Sequence, residues 1–425
     1  MSSLALLGGD RAIPAPLFRY NTIGPEELAA VQEVMKSGVL SRFLGCWDPD
    51  FYGGERVQAL EAAWANHFSV RHAVTVNSNT SGLIAAVGAV GIEPGDEVIV
   101  SPWTMSASAT AILVWNGIPV FADIEEETFN LDPVSIEKNI TPRTKALMVP
   151  DIFGHAADLD EIMILADRYH LKVIEDAAQV PGALYKGRFA GTIGHIGVYS
   201  LNYHKHIHTG EGGVCVTDDP VLAERLQLIR NHAEAVVADK GVEDLSNLIG
   251  FNFRMTEIEA AIGLEQLKKL PALVAQRAAA ADRLTAGLCD LKGLKTPIVK
   301  TGCTHVYYVY PLVYLAVETG IRRSVILEAL QAEGVPVAGG YQNLHLLPIY
   351  QKRIAYGRRG FPWSADFYKG RVSYAKGICP VAESLHDGSF LQIGLCAYAF
   401  DDHEVDLVID AFRKVWEHLE DLRGL

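Results

Sequence analysis

The stretch Ser200-Leu-Asn-Tyr-His-Lys-His-Ile-His-Thr-Gly-Glu-Gly-Gly213 holds one lysine, Lys205, between an apolar run and a glycine-rich turn. A lysine in a semi-buried pocket gives up its proton readily and can attack a carbonyl carbon to form a Schiff base. A solvated loop lysine is the plainer reading of that residue alone. Three further segments bear on the choice. In Lys172-Val-Ile-Glu-Asp-Ala-Ala-Gln179, Asp176 closes an apolar run. A carboxylate there could pair with the protonated nitrogen of a pyridine ring and keep that ring an electron sink; capping the next helix is the alternative. The segment Val76-Asn-Ser-Asn-Thr-Ser-Gly-Leu83 passes from strand to helix through Ser78, Asn79 and Thr80. Free N–H groups at a helix start, with the positive end of its dipole, form a seat for phosphate; N-capping by Ser78 or Thr80 is the alternative. In Ser101-Pro-Trp-Thr104, Trp103 either stacks on a planar ring or belongs to the core.

Such groups need a scaffold that brings them to one place. Between residues 72 and 217, short β-branched runs alternate with helical stretches: His72–Val76, Asp96–Val100, Ile118–Asp123, Thr144–Val149, Leu171–Glu175, Ile196–Ser200 and Gly213–Thr217 read as seven strands. That alternation predicts an α/β fold, a mostly parallel sheet with helices on both faces. Ligands of such sheets sit at the carboxyl ends of the strands, where the polar motifs above fall. A helix is expected from Met255, with Thr256 and Glu259 at capping-box spacing and Pro271 ending it. Beyond about 275 long helices flank a few strands such as Tyr307–Val313, so a large domain over 1–272 and a smaller α+β domain over 273–425 are expected.

Composition narrows the function classes. With 37 Lys+Arg against 51 Asp+Glu in 425 residues, the net charge of −14 speaks against nucleic-acid binding by phosphate neutralisation. No apolar run has the length that spans a bilayer, and the first residues lack the basic start of a signal peptide. Six scattered cysteines without a CxxC fit a reducing cytoplasm better than a disulfide framework or a zinc ribbon. One rival uses the lysine stretch differently: His204, His206 and His208 would share a strand face and could ligate a metal, whereas a loop would scatter them. A nicotinamide enzyme is disfavoured, because Gly191-Thr-Ile-Gly-His-Ile-Gly197 has the wrong spacing and precedes a strand.

The signals run in the order phosphate seat, aromatic, strand-end Asp, strand-end Ser, lysine and Gly-Glu-Gly-Gly. In that order the chain resembles the DegT/DnrJ/EryC/StrS sugar aminotransferases, fold-type-I pyridoxal-phosphate enzymes, from about Ile23 to Leu419. The most specific stretches are Val173–Gln179, Ser200–Gly213 and Gly250-Phe-Asn-Phe-Arg-Met255. The resemblance implies that Lys205 is the Schiff-base lysine and proton shuttle. By the same resemblance Asp176 holds the pyridine nitrogen, Gln179 reaches the ring hydroxyl and Trp103 stacks on the ring. Ser78, Asn79, Thr80 and Ser200 would hold the phosphate. Asn252 would reach the phosphate of a neighbouring subunit, implying a homodimer with shared sites, and His345, in Tyr341–Pro348, is a candidate at the substrate entrance. The implied donor is L-glutamate or L-glutamine, and the implied acceptor is a keto sugar, above all a nucleotide-linked keto-deoxysugar. A cyclitol ketone or an acidic keto sugar is the alternative acceptor. Dehydratases of the family carry His where Lys205 stands, so transamination is favoured over deoxygenation. Departures from the pattern are Asn79 for the usual Gly, Asp151 where a His is common, and a longer Leu40–Gly53 segment, expected to shape the pocket for its acceptor.

Overall fold

The computed structural model describes residues 3–425. The large sheet is built from β1 (His72–Val76), β2 (Glu97–Val100), β3 (Ile118–Phe121), β4 (Thr144–Pro150) and β5 (Lys172–Asp176). After the small hairpin β6 (Leu184–Tyr185) and β7 (Arg188–Phe189), it is completed by β8 (Ile196–Ser200) and β9 (Gly213–Thr217). The seven strands lie in the order β1-β9-β8-β5-β4-β2-β3. Only β9 is antiparallel to its neighbours; every other pairing is parallel. The expected mostly parallel sheet is therefore present.

The strands are apolar at nearly every position because both faces are covered. Val98 and Val100 enter one core and Ile99 the other; Ala146 and Met148 divide from Leu147 and Val149 in the same way. This is the period of two of a strand, with helices waiting on both sides. The carboxyl ends of β1, β2, β4, β5 and β8 consequently share one edge of the sheet. They deliver Ser78, Ser101–Met105, Asp151, Asp176 and Ser200 there.

A second sheet, β10 (Leu294–Lys295), β11 (Tyr310–Tyr314), β12 (Val337–Gly339) and β13 (Phe390–Ile393), is antiparallel in the order β10-β11-β13-β12. It closes over a third core with helices Arg323–Ala332 and Asp402–Glu417. The strand expected from Tyr307 starts at Tyr310, because Tyr307 has φ 50° and cannot extend a ladder.

The helix capped by Thr256 and Glu259 forms as expected, with Thr256 N donating to Glu259 Oε2 at 2.8 Å. It does not end at Pro271. It runs unbroken from Glu257 to Leu288, so residue 272 lies inside it. A proline inside a helix costs about 3 kcal/mol. Leu267 and Leu270 are buried in one core and Leu284 and Leu288 in another, and each such side chain contributes about 1.5–3 kcal/mol. Burial on both sides of the proline outweighs its penalty.

Candidate active site

At the carboxyl edge of the sheet is a cavity of about 670 Å³ of atom-free space, part of it open to solvent. Ser78, Asn79, Thr80, Asp176, Gln179, Ser200 and Lys205 all line it. Residues up to 127 positions apart are thus brought together by strand ends alone.

The phosphate seat is the start of helix Asn79–Ala89. Ser78 caps it, its Oγ accepting from Ser81 N at 3.1 Å. The amides of Asn79 and Thr80 have no acceptor among the described residues, so two N–H groups are free for an anion. Capping and phosphate binding therefore coexist here. Gly213, at the start of β9, makes the seat possible. A Cβ there would stand 2.8 Å from Asn79 N and Ser78 C, so only glycine lets β9 pass. Ser200, at the end of β8, is buried and lines the cavity.

Asp176 is buried at the end of β5. Its Oδ2 accepts from Ser108 Oγ at 2.7 Å, and its Oδ1 accepts from Ala178 N at 3.3 Å and Asn79 Nδ2 at 3.4 Å. Burial pushes its carboxyl above the ordinary range, while the Ser108 hydrogen bond and the charge of Lys205 pull the other way. Thr104 Oγ1 lies 2.8 Å from Ser108 Oγ, so a chain of hydroxyls supports the carboxylate. Gln179 is fixed by Phe153 N, which donates to its Oε1 at 2.6 Å, and its amide lies beside Tyr341 at the cavity wall. Phe153 and Gly154 hold this bend at φ 62° and 113°; a Cβ on Gly154 would meet Tyr307 N at 2.6 Å.

Lys205 follows Ser200 in a loop that turns back on itself, with Lys205 N donating to Asn202 O at 2.9 Å. The side chain is buried, and its Nζ has neither a hydrogen-bond acceptor nor a carboxylate partner among the described residues. It sits 4.3 Å from the centre of the Tyr308 ring. Desolvation lowers its pKa to about 8, against the opposing pull of Asp176. A buried amine this close to losing its proton is a nucleophile in waiting.

Other expectations meet a different structure. Trp103 does not line the cavity. It is fully buried between Phe129 and Phe390, and its Nε1 donates to Asn343 Oδ1 at 2.8 Å. The core has claimed it, and Met105, two residues on, occupies the cavity wall instead. His345 is likewise no entrance residue: it is fully buried, with Nε2 2.9 Å from Glu383 Oε1. From its segment, Tyr341 comes nearer the site, its ring packing on Phe153 with Gln179 and Asp176 beside it. Asn252 is exposed, outside the cavity, in a bend that pairs with Asn231. The segment 40–53 is held by Asn231, whose Nδ2 donates to Leu44 O at 2.7 Å and Phe51 O at 3.0 Å; none of it lines this cavity. The three histidines diverge. His204 lines the cavity, His206 Nε2 meets Val306 O at 2.8 Å, and His208 Nδ1 faces Gly210 N. They form no ligand set, and no group of three such side chains converges among the described residues.

Sequence reasoning missed Ser108, Thr104 and Met105. Ser108 has a visible signal: it is a hydroxyl among the alanines that open the apolar helix Ser106–Val114, and it is the hydroxyl there that is fully buried. A polar residue in a helix destined for burial must have a partner.

A family model described as the DegT/DnrJ/EryC1/StrS aminotransferase family matches residues 21–381. The spore coat polysaccharide biosynthesis protein SpsC of Bacillus subtilis is 34% identical over 400 residues, covering 92% of this chain and 95% of that protein. The GDP-perosamine synthase of Caulobacter vibrioides is 36% identical over 310 residues, covering 72% and 82%. The crystal structure of DesV of S. venezuelae, in complex with a ketimine intermediate, superimposes with a TM-score of 0.77 at 31% identity, covering 92% of this chain and 94% of that one. The chain belongs to the DegT/DnrJ/EryC1/StrS aminotransferase family and is a pyridoxal-phosphate-dependent aminotransferase.

Proposed function

We propose that this enzyme moves an amino group from L-glutamate or L-glutamine to a keto sugar, in the first place a nucleotide-linked keto-deoxysugar, in amino-sugar, surface-polysaccharide or secondary-metabolite biosynthesis. One observation carries the reading: Lys205, a buried amine without a counter-ion, with its pKa down to about 8, faces the same cavity as Asp176 and the free amides of Asn79 and Thr80. These residues fit pyridoxal phosphate, which supplies, when bound, an aldehyde carbon that takes up amines and a ring that draws electrons from them. Ser78, Asn79, Thr80 and Ser200 bind its phosphate. Asp176 orients the ring through its nitrogen, and Gln179 attends the ring hydroxyl. Lys205 Nζ would hold the aldehyde carbon and, when free, would carry a proton to and from the reacting carbon.

Two of the relatives bear names that point to sugars, one of them to a nucleotide-linked amino sugar. The enzyme works in the cytoplasm as a homodimer in which Asn252 serves the neighbouring site. Its domains divide at 272/273, within the long helix that both share. No helix among the described residues is long and apolar enough to cross a membrane.

The test uses the yellow holoenzyme. Glutamate or glutamine should bleach it, and the right keto sugar should restore the colour in a ping-pong cycle. A cyclitol ketone or an acidic keto sugar restoring it instead would move the acceptor class. Deoxygenation without amination would replace transfer by dehydration.

A further inference from the structure

Three carboxyl groups are buried where β4 and β5 end: Asp151, Glu175 and Asp176. Their partners differ. Glu175 accepts three backbone N–H groups, from Gly191, Ile193 and Gly194, at 2.5 to 2.7 Å. Asp176 has Ser108, Ala178 and Asn79. Among the described residues Asp151 has a single donor, Ala157 N, on Oδ1 at 2.8 Å. Its Oδ2 is buried without a partner, and the residue lines the cavity.

A buried carboxylate oxygen without a donor is costly, whereas the O–H of a neutral acid is a donor that needs an acceptor. The surroundings favour the acid. Burial and the neighbouring charges of Glu175 and Asp176 push Asp151 well above the usual carboxylate range, and only the Ala157 amide opposes them. Tyr199 on β8, whose hydroxyl donates to Ala190 O at 2.7 Å, is itself held neutral by burial. Asp151 and Gln179 are anchored to one loop, the first by Ala157 N and the second by Phe153 N, and both residues line the cavity. In the cofactor seat proposed above, the phosphate, the ring nitrogen and the aldehyde already have partners. The phenolic oxygen of the ring can accept more than one hydrogen bond, and only Gln179 is assigned to it.

We propose that Asp151 is held as a neutral acid and donates a hydrogen bond from Oδ2 to the phenolic oxygen of the bound cofactor, beside Gln179 Nε2. It is a positioning residue that sets the charge on that oxygen. The proposal rests on the seat described above.

The measurement is the visible absorption band of the loaded protein as a function of pH. A donor favours the high-pH form, in which the phenolic oxygen bears full negative charge, and so lowers the midpoint. Asp151→Leu should raise the midpoint by about one pH unit, a tenfold change in the proton equilibrium. Asp151→Asn retains an N–H donor and should stay near the wild-type midpoint. An unmoved midpoint in Asp151→Leu overturns the proposal, and a lowered one in Asp151→Asn shows an ionised Asp151 and overturns it too. If Asp151→Leu does not fold, the apoprotein decides. An acid whose folded pKa is raised costs stability progressively as pH climbs above its unfolded value of about 3.9. Asp151→Asn should therefore be more stable than wild type near neutral pH, with the gap closing toward that value; a pH-independent gap overturns the proposal. A colourless wild type would overturn the seat and this proposal together, whereas a coloured wild type with unshifted variants overturns this one alone.

Discussion

The hydroxyl of Ser108 stands 2.7 Å from Oδ2 of Asp176, reaching the carboxylate from the first turn of a largely buried helix. With Asn79 and Ala178 it fixes the direction in which Asp176 faces the cavity. A hydrogen bond to a charged group contributes about 1.5–3 kcal/mol. Ser108→Ala is therefore expected to weaken cofactor binding by about tenfold or more, read by titrating apoprotein with pyridoxal 5′-phosphate. Unchanged affinity would mean that Asp176 orients itself.

Replacing the carboxylate separates binding from chemistry. Asp176→Asn keeps the shape and loses the charge that holds the ring nitrogen protonated. Turnover should fall by about 10²-fold, the scale of losing one preorganised electrostatic partner, and cofactor affinity should fall less. Intact turnover would remove the electron-sink role.

The lysine sets a pH profile. An amine must be neutral to attack an aldehyde, and burial lowers Lys205 to about 8. The rate at which apoprotein captures pyridoxal 5′-phosphate should rise through about pH 8 and then level off. Asp176 holds that pKa up, so in Asp176→Asn the midpoint should move down. An upward move would contradict the influence of the Asp176 charge on Lys205.

Gly213 tests the phosphate seat from behind. The Cβ of Gly213→Ala would press on Asn79 N and Ser78 C at 2.8 Å. The variant should bind pyridoxal 5′-phosphate at least about tenfold more weakly, with little change toward pyridoxal, which has no phosphate. Equal losses for both ligands would place the damage elsewhere.

The buried pair of His345 and Glu383 belongs to the fold. His345→Leu should lower the melting temperature, at a cost of about 1.5–3 kcal/mol for the lost bond to Glu383. Donor and cofactor affinities should stay close to wild type. A raised KM for the acceptor with unchanged stability would return His345 to the entrance.

What the sequence made legible, and what it hid, follows from range. Ser78, Asp176, Ser200 and Lys205 each come just after an apolar strand or within a few residues of one, and a parallel sheet gathers strand ends at one edge. That inference needs only local pattern. Trp103 also follows a strand, but Ser101 Oγ bonds both the amide and the carbonyl of Trp103, turning it into the core, and its indole partner Asn343 is 240 positions away. The partner of His345 is 38 positions away, past the reach of any motif. Pro271 signals a helix end by propensity, and packing on both sides overrides it. Asp151 stood out only as a departure from the family pattern, because its bare oxygen is a fact of three dimensions.

The central claim is that Lys205 Nζ carries the cofactor. Protein saturated with pyridoxal 5′-phosphate, reduced with borohydride, digested and sequenced by mass spectrometry gives the direct answer. The account predicts one phosphopyridoxyl group per chain, on Lys205, lost with the yellow colour in Lys205→Ala. A modified lysine elsewhere, or a colourless wild type without adduct, would contradict it.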